Sequence, residues 1–116
     1  MWLTRTTDLE LVRREGKRVR SSLLEVRSLA SLLPSAKNEK RSSRIGLIVP
    51  RYDNSAVDRN RVKRRLRSAV REIWSKAIVA DGAEDLVLRA SPAAYRADYT
   101  ALANDLARLL ARRGTA

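Results

Sequence analysis

The chain has 116 residues, with 25 Lys and Arg against 13 Asp and Glu, a formal net charge of +12 and a pI near 11.3. This length predicts one domain over residues 1–116, and the charge points to a polyanionic partner such as nucleic acid. The sequence has no Cys and no His, which excludes disulfides, thiolate metal sites and the commonest general base.

A membrane protein is not predicted from this composition. No apolar run approaches the length needed to cross a bilayer, and the first residues do not resemble a signal peptide. Binding of an amphipathic basic helix to a membrane surface stays open as an alternative. A cytoplasmic location fits the absence of Cys.

The first predicted element is a short helix over Thr7–Glu15. Thr6 or Thr7 is a plausible N-cap, and acidic residues lie near the positive end of the helix dipole. Gly16 suits a left-handed residue directly after the helix.

A strand is predicted next, over Val19–Leu29. Leu24 and Val26 alternate there with charged neighbours, which is the period expected for a half-buried strand. The following residues, Leu32–Ser43, are rich in Ser, Lys, Asn and Pro and are predicted to form a loop.

The centre of the chain predicts a buried strand followed by a long helix. Arg44–Val49 is short, apolar and rich in β-branched residues, and Pro50 should end the strand because it cannot donate a ladder hydrogen bond. Asn54 or Ser55 is the expected N-cap of the helix, which should end near Asp81–Gly82.

The last part of the chain predicts one more strand and a final helix. Glu84–Ala90 is a second apolar strand, and Ser91 with Pro92 forms a cap and first-turn pair. Asp98 is the expected N-cap of the last helix, which Gly114 should end. The order α-β-β-α-β-α predicts an α+β fold, an α-β sandwich in which helices cover one sheet.

The long helix carries two different faces. Its apolar residues fit one helical stripe, formed by Val62, Leu66, Ala69, Val70, Ile73, Trp74 and Ala77. Over the thirteen positions from residue 59 to residue 71 there are seven cations and no acidic residue. These cations are Arg59, Arg61, Lys63, Arg64, Arg65, Arg67 and Arg71.

A polyanion is the expected partner of the basic face. Like charges on adjacent turns repel, and bound phosphates remove that repulsion while releasing counterions. Arg59 lies near the apolar side, so we expect it to make a fixed hydrogen bond. The side opposite the stripe is predicted to hold Asn60, Arg61, Arg64, Arg67 and Arg71.

No catalytic set emerges from the remaining residues. Asp53 and Asp58 are more simply explained by the helix dipole than by a metal ion, so no metal ligand is assigned. Tyr52 is equally compatible with base stacking and with a structural contact. Trp74 is predicted to belong to the core.

The central residues carry a resemblance to a known family. Val57–Arg67, which reads VDRNRVKRRLR, resembles the signature helix of the bacterial ribonuclease P protein subunit, where Arg-Asn-Arg is followed by x-Lys-Arg. The preceding Arg44–Val49 is similar to the family's Arg-x-Gly-(apolar)-x-Val strand. Ser55–Val57 matches the small-Ala-Val lead into the helix.

The resemblance implies a ribosomal-protein-S5-domain-2-like fold with a left-handed β-α-β crossover. It implies an accessory subunit of ribonuclease P, whose RNA removes the 5′ leader of precursor tRNA with Mg²⁺ held by the RNA. The expected partners are the ribonuclease P RNA and the leader, and the protein is expected to be monomeric apart from the RNA. The candidate RNA contacts are Arg59, Asn60, Arg61, Lys63, Arg64, Arg65, Arg67 and Arg71.

In the family, a cleft between the first helix and the sheet binds the leader. Leu9, Arg13 and Val26 stand where the family usually carries aromatic residues, and this chain has no Phe. Arg51 and Tyr52 are further candidates for contact with the leader, and they lie within a segment that replaces the family's Lys-Lys-x-Gly. We therefore expect leader binding that is weaker or differently made, because base stacking would be reduced.

Three other functions remain as alternatives. The basic helix could serve a general RNA-binding or ribosome-associated protein. It could enter the major groove of DNA, although a strand and Pro50 precede it where a helix-turn-helix would have a helix. A self-sufficient nuclease would need a metal or base cluster that the sequence does not offer.

Overall fold

The computed structural model describes residues 2–30, 43–77 and 84–112. Three helices are formed by Thr6–Glu15 (α1), Ala56–Ala77 (α2) and Tyr99–Arg112 (α3), and a 3₁₀ helix by Pro92–Arg96. Four strands are formed by Lys17–Arg20 (β1), Leu24–Ala30 (β2), Arg44–Ile48 (β3) and Glu84–Ala90 (β4).

The strands form one sheet in the order β1-β2-β4-β3. β2 is antiparallel to both β1 and β4, whereas β3 and β4 are parallel and are joined through α2. This arrangement confirms the predicted α+β class with helices on a single sheet. The left-handedness of the crossover and the single-domain extent stay predictions. The Leu32–Ser43 loop, apart from Ser43, the end of α2 near Asp81–Gly82 and the stop at Gly114 lie outside the described residues.

The single strand predicted over Val19–Leu29 is wrong, because β1 and β2 form a hairpin there. The hydroxyl of Ser21 accepts hydrogen bonds from the backbone N–H groups of Leu23 and Leu24, both at 3.2 Å. A Ser side chain that bonds its own backbone in this way competes with the sheet ladder and favours a turn. The alternation of side chains shifts by one position at the turn, because Val19 of β1 and Leu24 and Val26 of β2 pack on the same larger core.

The start and end of α1 also differ from the prediction. The N-cap is Arg5, which makes no side-chain cap hydrogen bond, rather than Thr6 or Thr7. Gly16 is extended, with φ −72°, and is not left-handed. Its role is close packing, since a Cβ there would lie 2.5 Å from the carbonyl oxygen of Val12.

The predicted N-caps of α2 and α3 are confirmed. The Ser55 hydroxyl accepts from the N–H of Asp58 at 3.1 Å, which begins α2. The Asp98 carboxylate accepts from the N–H of Ala101 at 2.8 Å, which begins α3. Both caps satisfy donors that the first turn of a helix cannot satisfy internally.

The two faces of the sheet are covered differently. The larger core lies between the sheet and the helices α2 and α3, and its sheet residues include Leu24, Val26, Ile45, Leu86 and Leu88. α1 packs on the other face through Val12 against Val87. Gly46 allows this approach, because a Cβ there would overlap the side chain of Leu9 and lie 2.8 Å from the Leu3 carbonyl oxygen.

Two buried carboxylates join distant elements. Asp85 accepts two hydrogen bonds from Arg44, at 3.0 and 2.8 Å, and this pairing raises the pKa of Arg44. Asp105 on α3 accepts from the Ser21 hydroxyl and from Arg108, so α3 is tied to the hairpin turn. Burying these carboxylates is tolerable because each is hydrogen-bonded.

Candidate nucleic-acid interface

The apolar side of α2 is inside the larger core. Val62, Leu66, Ala69 and Val70 are each at most 1% exposed, which confirms this part of the predicted stripe, whereas the side chain of Ala77 lies outside the described part of the structure. Ile73 and Trp74 pack partly buried against the same core. Because this side is fixed by packing, the orientation of the opposite side is fixed as well.

The opposite side of α2 is solvent-exposed, as predicted. It presents five exposed side chains along about three turns, namely Asn60, Arg61, Arg64, Arg67 and Arg71. Arg61 lies 3.7 Å from the carboxylate of Asp58, and both side chains are about half exposed, so this contact is weak. Within residues 2–30, 43–77 and 84–112, no ion pair holds Arg64, Arg67 or Arg71.

Arg59 and Arg65 flank this exposed side and are anchored to the backbone. The Nε of Arg59 donates to the carbonyl of Val49 at 2.7 Å, which confirms the expected fixed hydrogen bond. Arg65 donates through Nη1 to the carbonyl of Ala97 at 3.1 Å. A guanidinium has five N–H donors, so both side chains keep donors for a phosphate while their position is set.

Lys63 is partly buried and lies between two arginines of α2. Burial lowers the pKa of its ammonium below the ordinary value, and the positive charges of Arg59 and Arg67 lower it further. Both arginines are four residues from Lys63, so they lie one turn away on the same side. The charged form of Lys63 is therefore less favourable than in an ordinary lysine, and a nearby anion would favour it.

A groove of about 440 Å³ lies beside Lys63, between the chain start, β3 and α2. We call it the edge groove, because it follows the outer edge of β3. Its lining residues are Trp2, Leu3, Thr4, Leu9, Leu47, Lys63, Arg67 and Arg71. None of them is acidic, so the groove combines an apolar floor with a positive wall.

The turn before α2 is held in an unusual conformation. Tyr52 and Asp53 have positive φ values of 46° and 66°, and the N–H of Asn54 closes the turn on the carbonyl of Arg51 at 2.8 Å. The Tyr52 hydroxyl donates to the carbonyl of Ala90 at 3.0 Å. Left-handed non-Gly residues persist only when surrounding contacts impose them, and these hydrogen bonds do so.

A second, smaller depression of about 150 Å³ lies where β1 and β4 end and β2 begins. We call it the sheet-end depression, and it is lined by Arg20, Ser21, Leu24, Glu25, Tyr52, Arg89, Ala90 and Ser91. Glu25 and Arg89 are partners in the β2–β4 register and face the α1 side. No α1 residue lines it, so α1 leaves this end of the sheet open.

The five leader-cleft candidates lie in different parts of the structure and do not form one cleft. The prediction that Val26 contacts the leader is wrong, because Val26 is fully buried in the larger core on the face opposite α1. Leu9 packs against Gly46 and borders the edge groove. Arg13 is exposed, and its carbonyl accepts from Arg27.

Arg51 and Tyr52 lie on the turn, and Tyr52 alone of the five reaches the sheet-end depression. The sequence reasoning missed Arg20, Arg27 and Arg89, which lie on the α1 side of the sheet. Strand parity places Arg27 and Glu25 on one side and Val26 on the other. This alternation would have predicted Arg27 as a candidate, if the sequence had also shown which side of the sheet α1 covers.

Two negative findings concern the described ranges only. Residues 2–30, 43–77 and 84–112 contain no group of three or more His, Cys, Asp or Glu side chains that could hold a metal ion. In the same ranges, no helix combines the length and apolar character that crossing a membrane requires.

Sequence comparisons agree with one another. The model of a family described as Ribonuclease P matches residues 1–114. The ribonuclease P protein component of Acidothermus cellulolyticus is 34% identical over 110 residues, covering 95% of this chain and 85% of that protein. The corresponding protein of Streptomyces avermitilis is 37% identical over 112 residues, covering 95% of this chain and 89% of that protein.

Solved structures share the fold. The RNase P protein from Thermotoga maritima superposes with a TM-score of 0.77 at 24% identity, covering 97% of this chain and 96% of that one. A Staphylococcus aureus RNase P protein gives a TM-score of 0.75 at 21% identity, covering 93% and 90%.

Proposed function

Because the chain belongs to the family of bacterial ribonuclease P protein components, we propose that the exposed side of α2 binds the catalytic RNA of that enzyme. The chain is thus a subunit of a ribonucleoprotein endoribonuclease that matures the 5′ end of tRNA. One observation supports the assignment of this surface. Its exposed row of cations is not neutralised by any carboxylate of the described residues, apart from the weak contact between Arg61 and Asp58.

The chemistry of this side suits RNA phosphates. Arg64, Arg67 and Arg71 are exposed, and a guanidinium can fork onto two phosphate oxygens. The side chains project from a helix whose other side is fixed in the core, so the helix backbone needs little ordering on binding. The RNA in turn removes the repulsion between neighbouring cations on α2.

The Mg²⁺ that supports cleavage is proposed to be held by the RNA. The protein's contribution is positive charge placed against the RNA backbone, which lowers the repulsion that Mg²⁺ would otherwise have to screen. The protein should therefore matter most when Mg²⁺ is scarce. A cytoplasmic location is part of the same proposal.

Reconstitution tests this function. Purified protein is added to the matching ribonuclease P RNA, and precursor-tRNA cleavage is followed at a Mg²⁺ concentration where the RNA alone is slow. We expect a large increase in the cleavage rate. Equal rates with and without protein would contradict the function, and equal affinity for unrelated structured RNAs would favour a general RNA-binding protein.

The 5′ leader is proposed to cross the sheet-end depression. The side chain of Arg89 is partly exposed there and makes no hydrogen bond or ion pair with the described residues, whereas the carboxylate of Glu25 accepts a hydrogen bond from Arg27 at 2.7 Å. Arg20 and Tyr52 border the same space, which offers two cations and one aromatic ring to a single strand. The protein is proposed to act as a monomer apart from its RNA.

The leader proposal has a separate test. Arg89→Ala should weaken holoenzyme binding of precursor tRNA that carries a leader and leave binding of mature tRNA unchanged. Arg14→Ala, on the exposed side of α1 away from the depression, removes the same charge as a control. An equal loss for both tRNAs would remove the depression from the leader path.

A further inference from the structure

The outer edge of β3 is only partly covered. In the described residues it pairs with the chain start at one point, where Trp2 lies beside Ile45 and the N–H of Leu3 donates to the Ile45 carbonyl at 2.8 Å. Backbone groups of alternate residues point to the same side of a strand. Those of Leu47 therefore point outward, into the edge groove, where no described strand meets them.

A row of cations follows this open edge. Arg59, Lys63, Arg67 and Arg71 are spaced four residues apart on α2, so successive side chains are about 6 Å apart along the helix. Lys63, Arg67 and Arg71 line the edge groove, and Arg59 borders its continuation along residues 47–51. The lining residues of both parts include no carboxylate.

Trp2 is the aromatic residue of this groove. Its indole is partly buried against the larger core and still lines the groove with Leu47. Nucleobases stack on such rings irrespective of sequence. The volume of about 440 Å³ falls within the range of small-molecule sites, which suits one nucleotide and is too small for a duplex.

We propose that the edge groove binds an unpaired stretch of the catalytic RNA, with phosphates on the Arg59–Arg71 row and one base against the indole of Trp2. This inference rests on the proposed function and adds a single-stranded subsite to it. The groove shares no lining residue with the sheet-end depression. It is therefore separate from the site proposed for the leader.

Tryptophan fluorescence tests the subsite. The chain has two tryptophans, so Trp74→Phe leaves Trp2 as the sole reporter. Titration with ribonuclease P RNA in the absence of precursor tRNA should quench the Trp2 emission in step with binding followed independently. Full binding with unchanged emission would overturn the subsite. Quenching that needs precursor tRNA with a leader would also overturn it.

A substitution provides the second readout. Trp2→Leu keeps an apolar side chain against the core and should weaken RNA binding roughly tenfold, as expected for one lost stacking contact. The salt dependence should be unchanged because no charge is removed. The matched control Trp74→Phe should bind normally. Unchanged affinity of Trp2→Leu would contradict the subsite, whereas failure of reconstitution would contradict the proposed function itself.

Discussion

The two sides of α2 carry out opposite tasks within the same residues of the chain. Val62, Leu66 and Val70 are buried to 1% or less, while Arg64 and Arg67 on the same turns are exposed. The buried side gives stability through packing, and the exposed side lowers it slightly through repulsion. The difference predicts that substitutions will separate cleanly into those that affect folding and those that affect RNA binding.

The largest effect on stability is expected from the buried side. Leu66→Ala should lower the free energy of unfolding by about 2–5 kcal/mol, because it leaves a cavity in the larger core. Urea unfolding measures this. Arg64→Ala, two positions earlier on the exposed side, should stay within about 0.5 kcal/mol of wild type. Comparable losses of unfolding free energy in the two variants would contradict the distinction between a stabilising buried side and an RNA-binding exposed side of α2.

A loss of about 1–3 kcal/mol is expected for Gly46→Ala, on the opposite face of the sheet. The added Cβ would overlap Leu9 and crowd the Leu3 carbonyl, so α1 and the chain start must shift. Thermal unfolding reports the change, and so does Trp2 fluorescence when Gly46→Ala is combined with Trp74→Phe. Wild-type stability of this variant would show that α1 does not pack as closely as the structure has it.

Anions should raise the stability of the protein, and most of the increase should come from the exposed side of α2. Sulfate binding to the folded state adds stability by mass action, so the melting temperature should rise by a few degrees. The rise should be smaller for the double variant Arg64→Ala/Arg67→Ala. An equal rise in both proteins would place the anion sites elsewhere.

The smallest effect concerns Lys63, whose pKa is lowered by burial and by its two neighbouring arginines. Its charge therefore opposes folding at neutral pH, and that penalty fades as pH rises through the lowered pKa. Lys63→Met should be slightly more stable at pH 7, by about 0.2–0.5 kcal/mol per relieved like-charge pair. It should nevertheless bind RNA more weakly. Lower stability at pH 7 would contradict this.

The sequence predicted α2 well because two independent patterns coincide there. The helical period of the apolar residues locates its buried side, and the absence of acidic residues locates the exposed one. β4 was found with correct bounds, since Glu84–Ala90 is short, apolar and bounded by turn residues. Local patterns sufficed in both places.

Long-range placement could not be predicted in this way. Strand alternation places Val26 and Arg27 on opposite sides of the sheet. Only the packing of the helices decides which of these sides holds the larger core and which faces α1. The Ser21 turn divides the predicted strand in two and shifts the alternation by one position. The edge groove brings together Trp2, Leu47 and Lys63, whose proximity depends on the chain start pairing with β3.

The salt dependence of RNA binding tests the central claim most directly. Affinity for ribonuclease P RNA is measured over a range of salt concentrations for wild type, Arg64→Ala and Arg14→Ala, the last being an equal loss of charge on α1. Arg64→Ala should bind more weakly, with a slope of log K against log salt reduced by about 0.7–0.9 for one lost phosphate contact. Arg14→Ala should keep the wild-type slope. Equal slopes for all three proteins would contradict the assignment of RNA binding to the exposed side of α2.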